Sequence, residues 1–150
     1  MQKGAEPRLR AWESFLRAHA ELVPILAREL DHAQRIPLNY YDVLVQLSGA
    51  PGHRLRLKEL NQAVVLSQSA LSRLVERMGT DGLVARDSDP ADRRGTIVSL
   101  TRKGLAALRR AAPVHLASIE RHFCRLISNE EARVLADVFE RVRRAAQDER

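Results

Sequence analysis

The sequence has a single cysteine, Cys124, so no disulfide can close within the chain and secretion gains no support. Aromatic residues make up only 4% of the chain, so a core has to be assembled from Leu, Val, Ile and Ala. No apolar run approaches the ~18 residues that a membrane-spanning helix needs. The opening Met1–Pro7 lacks the apolar stretch of an export signal, so a cytoplasmic location is expected. There is no glycine-rich phosphate loop, no arguable Ser-His-Asp order and no His-x-x-x-His or Cys-x-x-Cys pair. Asp89 and Asp92 are close in sequence, but they sit on a loop tip beside two arginines and do not suggest a catalytic pocket. The expectation is a non-enzyme that needs no cofactor or metal. No internal repeat or low-complexity segment is visible.

The chain is strongly basic. Its 150 residues carry a formal charge of +6, and the sequence pI is about 10.4. That balance suits a polyanionic partner, though a solvated basic surface would give the same number. The placement of the arginines has to decide between them.

Hydrophobic periodicity predicts the elements. Trp12, Phe15, Leu16, His19, Leu22, Val23, Leu26 and Leu30 form one face of a helix over about 8–34. Pro24 should kink it and Ile36-Pro37 should end it. Asn39 is a candidate cap for a second helix carrying Tyr40, Val43, Leu44 and Leu47. A loop at 48–52 leads to a short alternating strand at 53–57. Two close helices follow, one over about 58–64 and one from Ser67, a good N-cap, to Met78. Segments 83–86 and 96–100 read as strands around a polar loop at 87–95. Thr101 caps the next helix, which Pro113 should break before it resumes through Leu116, Ile119, Phe123 and Leu126. Ser128 with Glu131 forms a capping box for a last helix bearing Val134, Leu135, Val138, Phe139 and Val142.

The helix after Ser67 carries the functional signal. Leu71, Leu74, Val75 and Met78 must face a core. The opposite side presents Gln68, Ser69, Ser72, Arg73 and Glu76, with Arg77 at the margin. Glutamine and arginine suit adenine and guanine edges in a major groove. A solvated face of the same composition is common, so this helix alone decides little. The short turn to the preceding helix gives helix-turn-helix spacing. The hairpin tip Asp92-Arg93-Arg94-Gly95 adds two arginines able to reach a minor groove or phosphates, with Asp92 able to orient one guanidinium through a bidentate pair. Together these features predict a winged helix-turn-helix of mainly α (α+β) class.

The stretches Leu57–Leu60, Leu66–Met78, Asp81–Arg86, Asp89–Gly95 and Val98–Gly104 resemble the MarR family of bacterial regulators. The similarity covers nearly the whole chain, as one domain over 1–150 with a winged core at about 38–100. It implies a transcriptional regulator, most often a repressor, with Ser67, Gln68, Ser69, Ser72, Arg73 and Arg77 at the DNA major groove and Arg93 or Arg94 in the minor groove. It also implies a homodimer through helices at about 8–34 and 113–147, bound to double-stranded DNA at a palindromic operator. Three positions depart from the family pattern. Val65 stands where glycine is frequent, which predicts altered turn geometry. Asn61 replaces a small alanine, and Lys58 replaces a capping Ser or Thr, which predicts a weak helix start.

Many members of the family release DNA on binding a small aromatic or phenolic effector. The candidates for contacting one are Trp12, His19, Tyr40 and Tyr41, for which plain packing is the favoured alternative. Cys124 is expected to be a small buried hydrophobe rather than a redox sensor. His115 and His122 share a helical face and are expected to be exposed. A winged helix that serves only protein contacts is the remaining rival, and it would show an apolar or acidic outer face on the Ser67 helix.

Overall fold

The computed structural model describes residues 6–149. Met1–Ala5, where the sequence gives no sign of an export signal, lie outside the described residues. The element order is α1 (Pro7–Gln34), α2 (Leu38–Gly49), β1 (Arg54–Arg56), α3 (Leu57–Ala63), α4 (Gln68–Thr80), β2 (Val84–Asp89), β3 (Asp92–Leu100), α5 (Arg102–His122) and α6 (Asn129–Asp148). Two compact units divide the chain, residues 1–115 and 116–150.

In the first unit, leucines and valines from every element build one core, as the scarcity of aromatics requires. Leu30, Val43, Leu44, Leu47, Leu60, Leu71, Leu74, Val75, Met78 and Val98 are all buried in it. The four α4 members sit three or four residues apart, so one face of that helix is committed to the core and the other is left to solvent. A three-stranded antiparallel sheet of order β1-β3-β2 lies beside the helices. Thr101 caps α5 as expected, taking the Gly104 N–H on Oγ1 at 3.0 Å.

Several expectations are corrected. Pro37, not Asn39, precedes α2, and Asn39 lies inside the helix with its Oδ1 buried and unpartnered. Neither Pro24 nor Pro113 interrupts its helix. Both prolines are exposed, and so are Ala20 and Arg109, whose carbonyls each ring displaces, so water can satisfy the freed groups. The α3 start is firm despite Lys58, because the Arg56 backbone N–H donates to Glu59 Oε2 at 3.0 Å. Val65 is fully exposed, and positive φ among described non-glycine residues occurs only at Arg35 and His53. The turn therefore asks nothing of Val65 that a β-branched residue resists.

His115 is buried rather than exposed, packed edge-on against Tyr41 with ring centroids 4.6 Å apart, and its Nδ1 has no hydrogen-bond partner. Burial lowers its pKa, with the nearby Asp42 carboxylate opposing.

The second unit contains the end of α5, a 3-10 turn at Cys124–Leu126 and α6. That turn breaks the helical stripe that the sequence extends through Phe123 and Leu126, which leaves Cys124 exposed instead of buried. The Ser128 capping box forms as expected, with Ser128 Oγ accepting from the Glu131 N–H and Glu131 Oε2 accepting from the Ser128 N–H. No residue of α6 is buried.

Candidate nucleic-acid interface

Ser67 caps α4 by accepting the Ala70 N–H at 3.2 Å. Its hydroxyl also lies 3.4 Å from that of Ser69. The helix then presents Gln68, Ser69, Ser72, Arg73 and Glu76 to solvent, each exposed. Arg77 is exposed too, but it turns toward α2. The Tyr40 hydroxyl donates to Asp81 Oδ2 at 2.9 Å. Desolvation and that carboxylate raise the Tyr40 pKa, while the neighbouring Arg77 guanidinium opposes the rise.

Asn61 was legible only as a departure from a family pattern. Its Nδ2 donates to the Leu66 carbonyl at 2.9 Å and ties the first helix of the pair to the turn before α4. A polar residue three to six positions before a helix cap is the only sequence signal for such a tie.

The wing is more ordered than a nine-residue loop. β2 and β3 run to Asp89 and from Asp92, so only Pro90 and Ala91 link them. The ladder pairs Ser88 with Thr96 but Asp89 with Asp92, so Arg93, Arg94 and Gly95 have no opposite number on β2. They form a bulge, a device that re-aims side chains away from a sheet. Both arginines are exposed there.

Asp92 does not take up a guanidinium in this arrangement. Its Oδ1 accepts the Arg94 backbone N–H at 3.0 Å, because a carboxylate two residues upstream in a tight turn meets the main chain first. The carboxylate that does hold an arginine is Asp89, which is 4% exposed. Its Oδ2 accepts Arg56 Nε at 2.8 Å and its Oδ1 accepts the Ala91 N–H at 2.9 Å. The Ala91 N–H, then the Arg56 charge, hold its carboxyl below the ordinary carboxylate range.

The four effector candidates do not converge within one chain. Trp12 and His19 are exposed on α1, in a ladder through Phe15 with ring centroids 6.0 and 6.2 Å apart. Tyr41 is in the core against His115. Tyr40 borders a groove of about 510 Å³ that is also lined by Arg35, Thr80, Asp81, Lys103 and Arg110. No described helix is long and apolar enough to cross a membrane.

Comparison with known proteins gives consistent matches. Residues 36–95 fit the family model described as MarR family. A Bacillus cereus protein described as an uncharacterized HTH-type transcriptional regulator is 31% identical over 102 residues, which is 68% of this chain and 66% of that one. Among solved structures, AbsC from Streptomyces coelicolor, a MarR family transcriptional regulator, superposes with a TM-score of 0.88 at 31% identity over 99% of both chains. Sco3205 from the same organism, a MarR family regulator crystallised in complex with DNA, gives 0.86 at 32% identity over 95% of this chain and 89% of that one.

Proposed function

From the premise that the chain belongs to the MarR family of winged helix-turn-helix transcriptional regulators, we propose that it is a homodimeric repressor that binds a palindromic operator. In this reading α4 enters the major groove, with Gln68, Ser69, Ser72 and Arg73 toward base edges, while Arg93 and Arg94 reach the minor groove. Ser67 contributes through its cap and its place beside the phosphates. Arg77, turned toward Tyr40, is left for the flanking backbone.

One observation carries the proposal: a polar helix face and a two-arginine bulge, both exposed, belong to the same compact unit. The DNA complex of the relative Sco3205 supports it. A pure protein-contact module is disfavoured because the α4 face is neutral polar to basic except at Glu76. The dimer is supported by exposed apolar residues at Leu9, Trp12 and Leu16 on α1 and at Val134 and Val142 on α6.

Equilibrium binding to a duplex enriched from a randomised pool tests the reading. Arg73→Ala should cost about 1–3 kcal/mol and relax base preference. Replacing Arg93 and Arg94 together with alanine should weaken binding and flatten its salt dependence. Unchanged binding by all these variants overturns the assignment.

A second reading, release by a small aromatic or phenolic effector, is favoured by the groove beside Tyr40, whose volume suits such a ligand. Titrating phenols and aromatic acids into the DNA complex of the wild type and of Tyr40→Ala tests it. Release from the wild type alone supports this reading, and release from neither or from both contradicts it.

A further inference from the structure

We propose that Arg56, Asp89 and Gly95 form a clamp that sets the wing against the helix-turn-helix, making Asp89 a positioning residue for DNA binding. The proposal rests on the DNA-binding reading above.

β1 and β2 are the two edges of the sheet and do not touch through the ladder, because β3 lies between them. Arg56 and Asp89, at the ends of those two edges, nevertheless meet at 2.8 Å. The contact therefore passes over β3. Gly95 leaves the space for it: a Cβ at that position would lie 3.1 Å from Asp89 Cβ and 3.4 Å from Asp89 Oδ2. The other end of the tie is equally fixed. Arg56 is the N-cap of α3, and its backbone N–H is held by Glu59. Asp89 also holds the Ala91 N–H, so a single buried carboxylate secures both the turn of the wing and its link to the first helix of the pair. Arg93 and Arg94 project from the bulge directly after this anchor. With the anchor cut, the wing swings relative to α4, and the two DNA-contacting elements lose their common spacing.

The sign of the effect separates this role from simple electrostatics. Removing a negative charge from a basic, DNA-facing wing should by itself tighten binding to a polyanion. The clamp predicts the reverse. On the enriched duplex, at a temperature where both proteins are folded, Asp89→Asn should bind about tenfold more weakly, with a shallower salt dependence as the wing arginines disengage. Arg56→Met, which has no donor to offer Asp89, should lose about as much, and the double variant should lose little more than either single one, because the two side chains act as one unit. Arg56→Lys keeps a charged donor that can still reach Asp89, so it should retain most of the affinity. Arg56→Met removes charge and donor from a half-exposed side chain and leaves Asp89 in place, so it decides the matter if Asp89→Asn does not fold. Binding by Asp89→Asn or Arg56→Met that is as tight as wild type, while Arg73→Ala still loses affinity, overturns the clamp and leaves the DNA-binding reading standing. Failure of the wild type to enrich any duplex overturns both.

Discussion

Gly104→Ala is a substitution for which local propensity and packing predict opposite signs. Gly104 is the third residue of α5, and alanine in a helix is ordinarily favoured over glycine by about 1 kcal/mol. Here a Cβ would lie 2.1 Å from the Leu83 carbonyl oxygen and 2.8 Å from Leu100 Cδ1. An ordinary carbon–oxygen contact needs about 3.3 Å, so the first turn of α5 must retreat by roughly 1.2 Å. That turn has little freedom to do so. Leu83 O accepts the Thr101 N–H, Thr101 Oγ1 donates to Gly82 O at 2.6 Å, and the Gly104 N–H donates to Thr101 Oγ1. Overpacking of this kind costs about 1–3 kcal/mol, and each hydrogen bond strained adds about 1 kcal/mol. Set against the propensity gain, a net loss of about 2 kcal/mol is expected, which is a fall in melting temperature of roughly 4–8 °C for a chain of this size. Gly49→Ala is the internal control. Gly49 ends α2 with nothing within 4 Å of its Cβ position, so that variant should be as stable as the wild type or up to about 1 kcal/mol more stable. Thermal melts followed by helical circular dichroism compare the two. A Gly104→Ala protein that melts at or above the wild-type temperature refutes the reasoning.

Asn61→Ala should lower stability by about 1 kcal/mol through loss of the bond to Leu66 O, and DNA affinity should fall with it because the turn before α4 is loosened; urea titration and duplex binding measure the two effects separately. His115 should make stability depend on pH. Its pKa is lowered in the fold, so its contribution is complete above the unfolded value of about 6.5 and is lost as pH falls through the lowered folded value. Asp42 works in the opposite sense below its own value, which partial desolvation raises against the pull of His115. Urea midpoints should therefore fall between about pH 7.5 and pH 5.5, and His115→Leu should flatten that slope; an equal slope in both proteins contradicts the assignment.

Elements with strong local signals were legible from sequence alone. The α4 stripe, the Ser67, Thr101 and Ser128 caps and the exposed polar face all follow from spacing within one helix. What was missed depends on residues far apart in the chain. Segment 87–95 carries almost no strand propensity, yet Asp87, Ser88 and Asp89 extend β2 because β3 supplies a ladder that holds polar residues as readily as apolar ones. Asp89 looked like one of two loop carboxylates because its partner, Arg56, lies 33 positions away. The same chain-local view does not show that the Asp92 carboxylate accepts the Arg94 backbone N–H. His115 and Cys124 exchanged their expected environments for a similar reason. Burial of His115 comes from Tyr41 on another helix, and exposure of Cys124 comes from the 3-10 turn that ends the α5 stripe.

Selection of duplexes from a randomised pool by the full chain tests the central claim most directly. The account predicts an enriched inverted repeat whose half-sites lie about one helical turn, ~34–36 Å, apart, occupied by two copies of the chain. A pool that shows no enrichment, or a single unrepeated site bound by one copy, would contradict it.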